Sequence, residues 1–232
     1  INAVPEKQWV TIHNPALYLA TVFKEALVRN GLTVTGNPRL VNEGDLSAVK
    51  GETITSAVST MEQTVAVTNK NSQNFYAEQI LKTLGAQVQG SGTVQAGLLV
   101  LNSFMKKLGF DVQEYQIMDG CGLSKGNRLS PSMITAILAY MSKHPAKNVF
   151  YNSLPSSGVD GGLQHRIVSP KYRNKVHAKT GYIAGVSALS GYVDTATGDI
   201  IVFSFLINNV KSLSDARKIQ DDVCATLANH YN

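Results

Sequence analysis

Apolar residues recur at helical spacing from Pro15 to Val28, where Ala20, Phe23, Leu27 and Val28 share one face. Asn14 is placed to cap that helix, Pro15 suits its first position and Gly31 closes it. A short strand from Lys7 to Ile12, around Trp9, Val10 and Ile12, precedes the helix. Leu32-Thr33-Val34 resumes extended structure before a polar loop, Gly36 to Asp45. Thr53 to Val67, rich in Thr, Ser and Val, fits helix or mixed structure. The pattern then predicts a helix from about Asn74 to Leu84, with Tyr76, Ile80, Leu81 and Leu84 inward and Gly85 as its stop. A second runs from Thr93 to Leu108, burying Val94, Leu98, Leu101, Met105 and Leu108 before Gly109. Ser130-Pro131 caps a third, with Ile134, Ile137, Leu138 and Met141 inward and Pro145 ending it. Strand patterning follows at Lys175–Tyr182, Ser187–Val193 and Ile200–Ile207, the last two joined by a hairpin turn from Asp194 to Gly198. A helix from Ser212 to about Asn229, using Ala216, Ile219, Val223 and Leu227, closes the chain. Helices followed by antiparallel strands and a last helix make a layered α/β arrangement, not a Rossmann alternation.

The 232 residues, 44% hydrophobic, suffice for one sizeable core and a small second lobe. Charged residues make up only 16%, which excludes a disordered polyelectrolyte. The net charge of +5 is scattered, except for Lys171, Arg173, Lys175, His177 and Lys179 at alternating positions. On a strand these would share one face, solvated for all but Lys179. No aromatic residues interleave with them, so nucleic acid is not expected as a partner. Cys121 and Cys224 lie in no C-x-x-C, and spacing does not say whether they pair. The longest apolar runs, such as Ile200 to Ile207, are too short to cross a bilayer. A start at Ile1 fits a processed or truncated product, so the lack of a visible signal peptide says nothing of compartment.

The candidate chemistry lies in two short segments. Lys179-Thr180-Gly181 ends a strand, where an ammonium, a hydroxyl and an unobstructed backbone suit a substrate carboxylate. Ser72-Gln73-Asn74 stands at the mouth of a helix, where a hydroxyl can relay a proton and an amide can hold a carbonyl. The plainer alternatives are a solvated strand lysine and a pair of capping residues. Gly120, Gly122 and Gly126 do not make a dinucleotide loop, because no βαβ unit surrounds them. The five histidines show no metal spacing, and no cofactor or metal is expected.

Taken in order, Asn71-Ser72-Gln73-Asn74-Phe75-Tyr76-Ala77-Glu78, Asp119-Gly120-Cys121-Gly122-Leu123-Ser124, Asn127-Arg128-Leu129-Ser130-Pro131, Ala178-Lys179-Thr180-Gly181 and Ala188-Leu189-Ser190-Gly191-Tyr192 resemble one family. It is the D-alanyl-D-alanine carboxypeptidase/endopeptidase family, the class C low-molecular-mass penicillin-binding proteins. The resemblance runs from about Asn14 to the C-terminus and is weakest between Gly36 and Thr64. Cys121 stands where the family usually has serine, and Tyr182 where a small hydroxyl residue is common. The resemblance implies a β-lactamase/transpeptidase-like α/β fold, an antiparallel sheet flanked by helices. It implies acyl transfer on peptidoglycan peptides ending in D-Ala-D-Ala, reactivity with β-lactams, and a periplasmic or other extracytoplasmic address. In that reading Ser72 relays a proton, Asn74 holds the substrate amide, and Lys179 with Thr180 binds the terminal carboxylate. The peptide adds along the Gly181 edge, and the Tyr182 N–H is one oxyanion donor.

The family's nucleophile sits in an S-x-x-K that precedes a large inserted region and then S-x-N. Ser103-Phe104-Met105-Lys106 comes after S-x-N, and on its helix Ser103 lies about 200° from Leu101, away from the apolar face. Ser47-Ala48-Val49-Lys50 is in order, but it sits in a polar stretch unlike the start of a buried helix. The expectation is therefore an incomplete fold whose nucleophile lies upstream of Ile1, leaving this chain alone inert. Residues 1–50 would be the tail of the inserted domain and 51–232 the C-terminal part of the penicillin-binding domain. The rival readings are a non-catalytic peptidoglycan-binding scaffold and a β-lactamase-like hydrolase.

Overall fold

Alternation along the strand segments builds a three-stranded antiparallel sheet: β1 (Val176–Ile183), β2 (Val186–Asp194) and β3 (Ile200–Asn208), in the order β1-β2-β3. The computed structural model describes residues 11–41, 51–52 and 55–229, and the chain divides into two compact units between Ala57 and Val58.

In the first unit, helix α1 (Pro15–Arg29) starts where Asn14 Oδ1 accepts the Leu17 N–H at 3.0 Å. It ends at Asn30, followed by Gly31 in the left-handed region at φ +84°. Leu32 to Val34 form no strand. The strand expected over Lys7 to Ile12 lies mostly outside the described residues, and Thr11 and Ile12 are irregular.

The second unit starts its helices at α2 (Met61–Lys70), which makes the later part of the ambiguous Thr53–Val67 stretch helical, while residues 55–60 are irregular. Thr60 and Gln63 form a reciprocal capping box there, satisfying two of the free N–H groups at the helix start. Then come α3 (Asn74–Gln89) and α4 (Val94–Lys107), packed as a helical pair. Gly85 does not stop α3. It is buried inside the helix, where a Cβ would lie 2.7 Å from Gly97 N and 2.9 Å from the Ala96 Cβ. Gly90, at φ +72°, ends the helix instead. Tyr76, expected inward, is exposed. The α3–α4 contact is lined by Leu81, Gly85, Ala96 and Gly97, small residues but for Leu81, so the two backbones approach closely.

Helix α5 (Pro131–Ser142) is capped by Ser130 as expected, but it stops before Pro145 and is followed by a short α6 (Lys147–Ser153) that the apolar pattern does not predict. Helix α7 (Leu213–Ala228) lies on one face of the sheet, where Val176, Ala178, Leu189, Val193, Phe203, Cys224 and Ala228 form a core. On the other face Leu138, Leu154 and Tyr192 pack together, and the Tyr192 hydroxyl donates to the Leu138 carbonyl at 2.8 Å. The face of α7 differs from expectation: Ala216, Gln220, Cys224 and Ala228 are buried, whereas Ile219 and Val223 are exposed. The strand-like stripe of basic residues is also cut short, because β1 starts at Val176 and His177 is buried. By alternation His177 and Lys179 face the helical lobe, with Thr180 on the α7 side.

Candidate active site

The turn between α2 and α3 is three residues long, Asn71 to Gln73, and closes with a Gln73 N–H to Thr68 carbonyl bond of 3.1 Å. Ser72 takes a left-handed φ of +52°, a conformation that costs a residue with a side chain about 1–2 kcal/mol. Gln73 occupies the N-cap position and makes no side-chain capping bond, so neither Ser72 nor Asn74 acts as the cap of α3. The Ser72 hydroxyl is instead engaged across the cleft. Lys179 Nζ donates to Ser72 Oγ at 2.9 Å and to the Thr180 carbonyl at 2.7 Å. Burial lowers the Lys179 pKa from its ordinary 10.5.

Ser72, Asn74, Lys179, Thr180, Gly181 and Tyr182 all line one cavity of about 1020 Å³. The structure therefore brings together these six residues of the S-x-N and K-T-G segments. Lys125 and Arg128 on the opposite loop also line it, as do Leu206 and Asn208 of β3. The Tyr182 side chain stands at the rim, 58% exposed. Such a cavity can hold an extended, anionic peptide end: a cation and a hydroxyl at the strand edge, a second hydroxyl hydrogen-bonded to that cation, and an amide two positions further on at the start of α3.

Residues to which the sequence assigned no role, some within the motifs and some outside them, fix these positions. Lys70, at the end of α2, pairs with Asp160, whose Oδ1 accepts the Ser156 N–H at 2.9 Å. The turn that follows puts Gly162 directly behind Thr180, where a Cβ would lie 2.5 Å from Thr180 Oγ1. The sequence pattern of Asp160-Gly161-Gly162 carries no signal that points to the site. On the far wall, Asp119 accepts from Gly122 N at 2.8 Å, Ser124 N at 2.6 Å and Asn127 Nδ2 at 2.8 Å. Burial would raise the Asp119 pKa, but these donors outweigh it and hold the carboxyl below its usual range. Glu78 Oε1 accepts the Gly120 and Cys121 N–H groups, each at 2.9 Å. A carboxylate oxygen of Glu78, one of Asp119 and the Cys121 Sγ lie within 4.8 Å of one another, with both carboxylates already accepting hydrogen bonds that organise the loop. Burial raises the Cys121 thiol pKa, reinforced by Glu78 and Asp119. Cys121 and Cys224 are both free thiols, and burial pushes Cys224 up to about 12.

Of the two S-x-x-K segments, Ser103 is exposed and its hydroxyl donates to the Leu99 carbonyl at 2.9 Å, away from the cavity. Ser47 to Lys50 lie outside the described residues.

A sheet whose edge carries K-T-G, facing a helical lobe whose turn carries S-x-N, defines the β-lactamase/transpeptidase-like fold. The Haemophilus influenzae penicillin-binding protein 4 (dacB), solved with a β-lactam, matches at a TM-score of 0.79 and 24% identity over 95% of this chain and 53% of that one. The TLA-3 extended-spectrum β-lactamase matches at 0.54 and 17% identity, over 73% of this chain and 64% of that one. The chain belongs to the D-Ala-D-Ala carboxypeptidase 3 (S13) family, whose pattern matches residues 2–230. It is 32% identical, over 237 residues and 99% of its length, to the D-alanyl-D-alanine carboxypeptidase of Actinomadura sp. strain R39. It spans 43% of that relative.

Proposed function

We propose that this chain is the C-terminal part of a serine-type D-Ala-D-Ala carboxypeptidase/endopeptidase that cleaves peptidoglycan peptides through an acyl-enzyme. The observation that carries the reading is the Lys179–Ser72 contact of 2.9 Å on the wall of a cavity that also holds Asn74 and Thr180. Lys179 and Thr180 bind the terminal carboxylate, Asn74 the substrate amide, and Ser72 passes a proton to the departing D-alanine. The peptide extends along β1 at Gly181, with the Tyr182 N–H as one oxyanion donor. The attacking serine and its lysine partner belong to a segment upstream of Ile1. Residues 1–50 are the tail of an accessory insertion in this reading, and residues 51–232 belong to the penicillin-binding domain. The protein acts where its substrate lies, in the cell envelope outside the cytoplasm. Among the described residues no helix is long and apolar enough to cross a membrane.

The test is mass spectrometry after incubation with penicillin, on this chain and on the full gene product. A stable adduct on the full product and none on the chain is expected. Rapid turnover without accumulation would instead make the protein a β-lactamase, and no reaction of the full product would make it a scaffold. An adduct on Ser47 would make that serine the nucleophile. One on Ser72 would make Ser72 the attacking group and not the proton relay.

A further inference from the structure

Asn74 and Glu78 are four residues apart on α3, so their side chains leave the same face on successive turns. Asn74 lines the cavity, and Glu78 reaches sideways to the loop that forms the opposite wall. One carboxylate oxygen receives two consecutive backbone N–H groups, those of Gly120 and Cys121, at 2.9 Å each. The loop lies flush on the helix at this point: a Cβ on Gly120 would come within 2.7 Å of the Ala77 carbonyl oxygen and 3.2 Å of the Leu81 Cβ. Beyond this clamp Cys121, Gly122 and Leu123 turn into the cavity. Asp119 organises the loop internally through its bonds to Gly122, Ser124 and Asn127. Glu78 is the side chain whose hydrogen bonds tie the loop to the helix that bears Asn74.

We infer that Glu78 is a positioning residue, which sets the distance between the Gly120–Leu123 wall and Asn74 and thereby the width of the cleft available to the substrate's acyl side. The inference rests on the peptidase reading for its effect on catalysis, but its structural part stands apart from it. Glu78 acts through the loop and touches no reacting atom. Its carboxylate suits the task because an ionised acceptor binds two N–H groups more strongly than a neutral one, and a glutamine keeps an acceptor oxygen in the same place.

The experiment compares Glu78→Ala, Glu78→Gln and Gly120→Ala in the full gene product, reading amide hydrogen exchange, thermal stability and peptidase kinetics. Glu78→Ala is expected to speed exchange at Gly120 and Cys121 about tenfold while Leu81 inside α3 is unchanged. It should lower kcat/KM about tenfold, chiefly through KM, and Glu78→Gln should restore both to within about threefold. Gly120→Ala, which forces the loop off the helix with Glu78 intact, should raise KM in the same way. Unchanged exchange at Gly120 and Cys121 in Glu78→Ala would overturn the inference. So would equal losses in the Gln and Ala variants, a loss of activity matching only the loss of folded protein, or a normal KM in Gly120→Ala. If the wild-type protein proves inactive, the peptidase reading falls, and the exchange rates still decide whether Glu78 holds the loop.

Discussion

Ser72 holds an unfavourable backbone conformation so that its hydroxyl meets Lys179, and this separates its structural from its chemical contribution. Glycine adopts φ +52° without the Cβ conflict, so Ser72→Gly should be more stable than Ser72→Ala by about 1 kcal/mol. Urea unfolding of the two variants measures this, and both should lose peptidase activity in the full gene product. Lys179→Ala should cut kcat/KM at least about 100-fold on peptide and penicillin alike, since the proposed reading places the carboxylate of each there. Activity on both left intact would remove the anchor role. The pH profile gives the same lysine a second test. Burial lowers its pKa from 10.5, so the free enzyme loses the cation earlier as pH rises. The alkaline limb of kcat/KM should therefore fall below 10.5. The convergence of Ser72, Asn74 and Lys179 on one cavity was legible because they sit in tripeptides that keep their order along the chain. Glu78 and Gly162 were not. One acts on backbone N–H groups more than forty positions away, and the other matters only for the side chain it leaves room for.

Most helices and all three strands were legible from polarity and spacing, whereas the inner face of α7 was misread because size decides it. Strand bounds and the Asn14, Ser130 and Ser212 caps follow from local chemistry. On α7 the large apolar residues looked like the inner face, yet the sheet admits Ala216, Cys224 and Ala228. Gln220 is buried with them because its amide is satisfied: Arg166 Nη2 donates to Oε1 at 3.0 Å, and Nε2 donates to Ser187 Oγ at 3.3 Å. Gly85 shows the same competition within α3. Alanine would favour the helix by about 1 kcal/mol, but the added Cβ meets Ser91 O at 2.6 Å and Gly97 N at 2.7 Å. Both are backbone atoms, and overpacking of this kind costs about 1–3 kcal/mol. Gly85→Ala should thus lower the melting temperature, by calorimetry, despite its better helix propensity. A rise would mean that α3 and α4 separate freely.

For the second unit as a whole, stability should depend on His177, which is packed at 4.2 Å between ring centroids on Tyr151 with Asp194 3.8 Å away. Burial lowers its pKa from 6.5, with Asp194 and the Asn174 carbonyl pulling the other way. The unfolded chain then takes up this proton first as pH falls. The contribution to stability is complete above 6.5 and is lost as pH drops towards the lower folded value. Urea midpoints at about pH 7.5 and about pH 5.5 should differ less in His177→Phe, which keeps the ring contact without titrating. An undiminished pH step in that variant would assign it to other groups. The Lys179–Ser72 contact also spans 107 positions of chain. At the usual 5–20 residues per second of synthesis, about 5–20 s separate the emergence of its two halves. During that interval the S-x-N turn waits in water without its partner, which its polar, exposed side chains can do without seeking a wrong one. Completion of the site is thus a late event in the protein's making, timed by the arrival of β1 at a helical lobe already synthesised.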